Sequence, residues 1–126
     1  MPTTSSPISR RPSGRAVAAY LFSRGVVKQG HLHEFVRGVK KISEHRRKRA
    51  YCVPEVLYGL SGPMNTVLLR FAFADLGKLE QEERELEADP EFARMNAALP
   101  YVAGSITYEI YLDDRFGKPE LDLDLI

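Results

Sequence analysis

The chain has one cysteine, no tryptophan and three histidines among its 126 residues, and its 18 basic side chains are balanced by 17 acidic ones. Each shortage excludes something. A single cysteine makes neither an internal disulfide nor a CxxC pair. A formal net charge of +1 excludes the broad basic field of a dedicated nucleic-acid binder. No apolar run approaches the roughly 18 residues that a membrane-spanning helix needs. Walker loops, dinucleotide glycine fingerprints, HExxH helices and nucleophile elbows are all missing, so no nucleotide, metal or other cofactor is expected. What remains is a 44% hydrophobic chain of one domain's length. Such a chain buries roughly two thirds of its unfolded surface without metals or disulfides. A cytoplasmic location is the expectation.

The ends differ in composition from the middle. Residues 1–14 hold three Pro, four Ser and two Thr but only Met1 and Ile8 as apolar side chains, which predicts a disordered tail. Arg10 and Arg11 ahead of the apolar Ala16–Phe22 faintly echo a twin-arginine export signal. That apolar run is short and meets Arg24 at once, so it reads better as a first strand. Residues 113–126 form an acidic tail in which Glu120 to Ile126 alternates with period two, as an added edge strand would. The folded domain is expected over residues 15–112.

Within that domain, Ala16–Phe22 predicts a strand, punctuated afterwards by Gly25 and Gly30. Leu32, Phe35, Val36, Val39 and Ile42 then fall at helical spacing, opposite Arg37, Lys40, Lys41 and Glu44. The β-branched and aromatic stretch Tyr51–Leu60 and the run Thr66–Phe73, joined by a turn, make a hairpin. Pro54 cannot donate to a ladder and assigns its strand to a sheet edge. Asp75 can cap a helix carrying Leu76, Leu79 and Leu86, and Asp89-Pro90 starts another turn or two. Gly104–Leu112 alternates Ile106, Tyr108, Ile110 and Leu112 against polar positions. The order β-α-β-β-α-β folds most simply as a ferredoxin-like α+β sandwich with spatial strand order 4-1-3-2.

Such a sheet has one face under helices and one bare, and the bare face should be polar in a monomer. Here Val67, Leu69, Phe71 and Phe73 make one apolar face, yet Thr66, Leu68, Arg70 and Ala72 on the other are also mostly non-polar. Ala18, Tyr20 and Phe22 on the first strand repeat the pattern. An apolar face of this size calls for a cover, and a second copy of the chain is the expected one.

Lys28-Gln29-Gly30, Gly62-Pro63-Met64-Asn65-Thr66-Val67 and Leu86 to Phe92 (Leu-Glu-Ala-Asp-Pro-Glu-Phe) together resemble a NIPSNAP-type domain over residues 16–112. The resemblance implies a dimeric α+β barrel, in which two ferredoxin-like sheets pack face to face around a lumen. The chain departs from the family pattern of a strand-three His and Trp and basic residues on the second helix, carrying Leu69, Phe71, Leu79 and Glu83 there. The wider superfamily includes cofactor-independent oxygenases, isomerases, haem-degrading enzymes and plain ligand binders, so the fold leaves the activity open.

In a barrel of this kind Arg70 points into the lumen. A guanidinium there needs a partner, either a carboxylate such as Glu109 or Glu55 or an anionic ligand. The candidate ligand-binding residues are therefore Arg70, Tyr20, Tyr58, Tyr108 and Glu109, with Tyr111 as a further wall. The expected function is a homodimer binding a small apolar or anionic molecule in its lumen. The alternative is a cofactor-independent oxygenase or isomerase acting on an aromatic or polyketide-like substrate, in which Arg70 stabilises an enolate or phenolate. His31 and His33 sit two apart and cannot share a metal from one helix face. His33 would serve as a base only beneath a pocket at the helix start. Cys52 has no basic neighbour in sequence and reads as a small apolar filler. His45-Arg46-Arg47-Lys48-Arg49 reads as a solvated helix end that complements the helix dipole.

Overall fold

Alternating and 3.6-residue apolar periods resolve into seven elements in the computed structural model, which describes residues 18–60, 62 and 64–113. In chain order they are β1 (Ala18–Val26), α1 (Leu32–Lys48), β2 (Glu55–Tyr58), β3 (Thr66–Phe73), α2 (Leu76–Glu87), α3 (Pro90–Ala97) and β4 (Thr107–Asp113). The expectations for the tails, residues 1–14 and the segment beyond Asp113, lie outside the described residues.

The four strands form one antiparallel sheet in the order β2-β3-β1-β4, the order expected from the sequence. The fold is α+β and ferredoxin-like. Ala19, Leu21, Val67, Leu69, Phe71 and Phe73 on one sheet face pack with Phe35, Val39 and Ile42 of α1, with Leu79 of α2 and with Leu99. Both expected caps are present. Asp75 accepts a bond from the Lys78 amide at 2.8 Å, and Asp89 accepts from Glu91 and Phe92 with Pro90 at the first turn of α3. The C-terminus of α1 lacks a glycine, and Ala50 takes the left-handed conformation there at φ 58°.

Three expectations change. β1 does not stop before Gly25 but runs on to Val26, because a glycine at that point makes room rather than a break. A Cβ on Gly25 would stand 2.4 Å from the Tyr101 ring. β2 is shorter than expected: Cys52 and Pro54 lie in the segment before it, and β2 is the edge strand. β4 carries its apolar residues on the helix side, yet Tyr108, Ile110 and Leu112 are 63%, 53% and 54% exposed. α2 packs on β1 and β3 and leaves β4 uncovered.

Candidate functional site

The pairing register decides which side chains share a face. Opposite Arg70 stand Phe22 on β1 and Glu55 on β2, and Phe22 in turn faces Glu109. Tyr20 faces Ala72 and Tyr111, which puts Tyr20, Arg70, Glu109 and Tyr111 together on the bare face. Tyr58 pairs with Val67 and Tyr108 with Ser23, so those two tyrosines belong to the opposite, helix-bearing face. The expected residues therefore form two groups.

On the bare face an open depression of about 490 Å³ is lined by Tyr20, Phe22, Arg24, Leu68, Arg70, Glu109 and Tyr111. Its charges are already matched. The Arg70 guanidinium donates to Glu55 at 3.1 Å and lies over the Tyr20 ring at 4.9 Å, while Arg24 reaches Glu109 at 3.4 Å. Phe22 and Tyr111 meet edge to face, with ring centroids 5.3 Å apart. Of the two protein partners considered for Arg70, Glu55 holds it.

Behind the sheet lies a second space. Between the strands and the helices a cavity of about 470 Å³ is walled by Leu21, Leu69 and Phe71 of the sheet, Val39 and Ile42 of α1, Leu79 of α2 and Phe92 of α3. Ile106, Tyr108 and Ile110 make its outer wall. The polar residues on its lining are Ser23, Arg46, Glu83, Glu87, Asn96, Tyr101 and Tyr108.

Among these, Tyr101 stands out. It follows Pro100 and is pinned to the end of β1 by an isolated bridge to Val27, with the Val102 amide donating to Val26 at 2.7 Å and the Lys28 amide to Pro100 at 2.9 Å. Its ring packs edge to face on Phe35 at 5.3 Å and against Gly25. The hydroxyl is buried, with the Ser23 side chain beside it. Burial pushes its pKa up to about 12, and the hydrogen bond with Ser23 opposes that rise. It therefore stays a protonated phenol at neutral pH.

Arg46 and Glu82 form a buried ion pair beside the cavity, 1% and 2% exposed. The Arg46 Nη2 donates to Glu82 Oε1 at 3.3 Å, its Nε donates to the Cys52 carbonyl, and its guanidinium lies 4.7 Å over the Phe71 ring. Glu82 Oε1 also accepts from the Cys52 amide at 3.0 Å. Burial lowers the Arg46 pKa, and the Glu82 charge works against that fall. Burial raises the Glu83 pKa, with Arg46 opposing.

His45 is buried as well. Arg49 lies 3.2 Å from its Nδ1, and its Nε2 meets Asp89 Oδ2 at 2.7 Å. That bond holds the Asp89 carboxyl below its ordinary range. His45, Asp89 and Glu91 bring three ligand atoms close enough for a metal, but the Arg49 guanidinium, 3.7 Å from Asp89, already supplies positive charge there. The group reads as a latch between α1 and α3. The basic run at the end of α1 is thus not wholly solvated, since His45 and Arg46 point inward and only Arg47, Lys48 and Arg49 are exposed. Cys52 is half-buried with its thiol 3.1 Å from the Ala72 carbonyl, and burial raises its pKa, which suits a packed side chain and not a nucleophile.

No protein-family profile and no curated protein sequence matches the chain. Solved structures do. An uncharacterized NIPSNAP domain protein from Burkholderia xenovorans superposes with a TM-score of 0.64 at 17% identity, over 78% of this chain and 96% of that one. A NIPSNAP family protein from Agrobacterium tumefaciens gives 0.63 at 15% identity, over 81% and 90%. A putative antibiotic biosynthesis monooxygenase from Deinococcus radiodurans gives 0.56 at 16% identity, over 74% and 89%. No helix among the described residues is long and apolar enough to cross a membrane. The resemblance seen in the sequence is met by the structure: the chain has the ferredoxin-like α+β fold of the NIPSNAP-family proteins.

Proposed function

We propose that the chain is a NIPSNAP-type ligand-binding protein in which two copies pair through their bare sheet faces and each subunit holds a small, largely apolar molecule between its own sheet and helices. The observation that carries this reading is the 470 Å³ cavity, walled by apolar side chains from both layers. That size and composition suit a small-molecule site. The bare-face depression is a poorer candidate, because Arg70 and Arg24 already have carboxylate partners and an incoming anion would have to displace them. Its matched charges and apolar side chains suit an interface between copies instead.

Native mass spectrometry of protein purified gently from its own host tests both halves. The expected result is a dimer carrying two equal extra masses, one per subunit, which Ile42→Trp removes by filling the cavity. A single extra mass per dimer would move the ligand to the shared lumen around Arg70. A monomer would remove the pairing.

A second reading, a cofactor-independent oxygenase or isomerase acting on an aromatic substrate, draws on the fold likeness to the Deinococcus protein. Glu83 favours it, since a carboxylate on the cavity wall whose pKa burial has raised is suited to take a proton.

A further inference from the structure

We propose that the cavity between sheet and helices takes an apolar molecule carrying one basic amine, whose ammonium group pairs with Glu83 and Glu87 while its hydrocarbon part fills the space behind them. The inference rests on the cavity being the ligand site and goes on to name the class of molecule it takes.

Glu83 and Glu87 stand four residues apart on α2, so they share one side of the helix, and both line the cavity. Like charges at that spacing repel and destabilise the helix that carries them. Elsewhere the carboxylates near basic side chains are matched: Glu55 with Arg70, Glu109 with Arg24, Glu82 with Arg46 and Asp89 with Arg49. Neither Glu83 nor Glu87 has an ion-pair partner among the described residues. Arg46 lies on the same lining, but it is engaged by Glu82, the Cys52 carbonyl and the Phe71 ring. Burial raises the Glu83 pKa and the Glu87 charge adds to the rise, with Arg46 opposing. A second cation is what this wall lacks.

The rest of the lining sets the remainder of the class. Glu83 is half-buried and Glu87 exposed, so the charged side of the cavity is the one nearer water. Leu79, Phe92, Ile106, Tyr108 and Ile110 supply hydrocarbon and aromatic surface around it. Carboxylates beside aromatic walls suit an organic ammonium, which gains both ion pairing and contact with the rings. A bare inorganic cation would answer the charge and leave the apolar walls unfilled. An anionic ligand would meet two carboxylates with no free cation to compensate.

Three probes of nearly one shape separate the possibilities: 1-(1-naphthyl)ethylamine, its neutral counterpart 1-(1-naphthyl)ethanol, and the anion 1-naphthoate. Equilibrium dialysis measures each against the wild type, Glu83→Gln, Glu87→Gln and the double variant. The amine should bind the wild type roughly 10-fold more tightly than the alcohol, the size of effect one charge-assisted hydrogen bond gives. Each single variant should weaken the amine, and the double variant should bind amine and alcohol equally. Alcohol binding should stay the same in all four proteins. Added sodium chloride should weaken the amine in the wild type and leave the alcohol unmoved, a difference that a purely structural role for the two carboxylates would not produce. Because glutamine relieves the repulsion along α2, the variants should melt no lower than the wild type. Binding of the alcohol or the naphthoate as tight as that of the amine, or an amine preference that survives in the double variant, overturns the assignment while leaving the cavity as a site. Amine binding that persists in Ile42→Trp places the amine outside the cavity and overturns it too. Binding of none of the three overturns the cavity reading and this inference together.

Discussion

Gly25 and Tyr101 are 76 positions apart in sequence, and each accounts for the other's surroundings. The strand end closes on the residues after α3 through the Val27–Tyr101 bridge, and the ring then lies where a Cβ of residue 25 would be. Gly25→Ala should therefore push a rigid ring that is also packed on Phe35, destabilising the fold by about 1–3 kcal/mol, the usual cost of overpacking. Chemical denaturation checks this, and the smaller side chain of a Gly25→Ala/Tyr101→Leu double variant should recover much of the loss. Nothing local in the sequence announces the pair. A glycine at the end of an apolar run looks like a strand terminator, and a tyrosine after a proline looks like a loop residue. Arg70 was different: strict alternation along Thr66–Phe73 was enough to place it on the face opposite Leu69 and Phe71, and Glu55 was one of the two carboxylates available to it.

Among the elements, α1, α2 and the segment before β2 meet at the Arg46–Glu82 pair. Glu82 is 2% exposed and serves two donors, the Arg46 guanidinium and the Cys52 amide. Glu82→Leu should leave the Cys52 amide without its acceptor and the buried Arg46 charge without its carboxylate, and cost about 3–5 kcal/mol, as removal of one member of a buried ion pair does. Glu82→Gln keeps an acceptor for the amide and should cost clearly less, a ranking that thermal unfolding of the two variants reads directly. The elements themselves were largely legible, because the capping residues Asp75 and Asp89-Pro90 and the hairpin run carry strong local signals. The inward turn of His45 and Arg46 was not. A basic run at a helix end has an ordinary solvated reading, and only the approach of α2 and α3 supplies the carboxylates that draw those two residues in. The exposure of β4's apolar side was hidden for the same reason. Alternation tells which side chains share a face, but not whether a helix extends far enough to cover them.

Across the whole molecule, one sheet face is covered and the other is open, and the open one is lined by Tyr20, Phe22, Leu68 and Tyr111 around two paired arginines. Leu68→Lys places a charge beside Arg24 on that face without touching the core. The variant should stay folded, keep its cavity and sediment as a monomer at concentrations where the proposed pairing would make the wild type a dimer; a wild type and variant of equal sedimentation coefficient would overturn pairing through this face. β4 bears on a different property, the behaviour of the protein at high concentration. Among the described residues it has a hydrogen-bonded neighbour on one side only, and within Thr107–Asp113 there is neither proline nor lysine to discourage a newcomer. A sheet edge flanked by half-exposed Tyr108, Ile110 and Leu112 is a template for a further strand. Edge-to-edge pairing at β4 is thus one route by which copies of this chain would associate as their concentration rises.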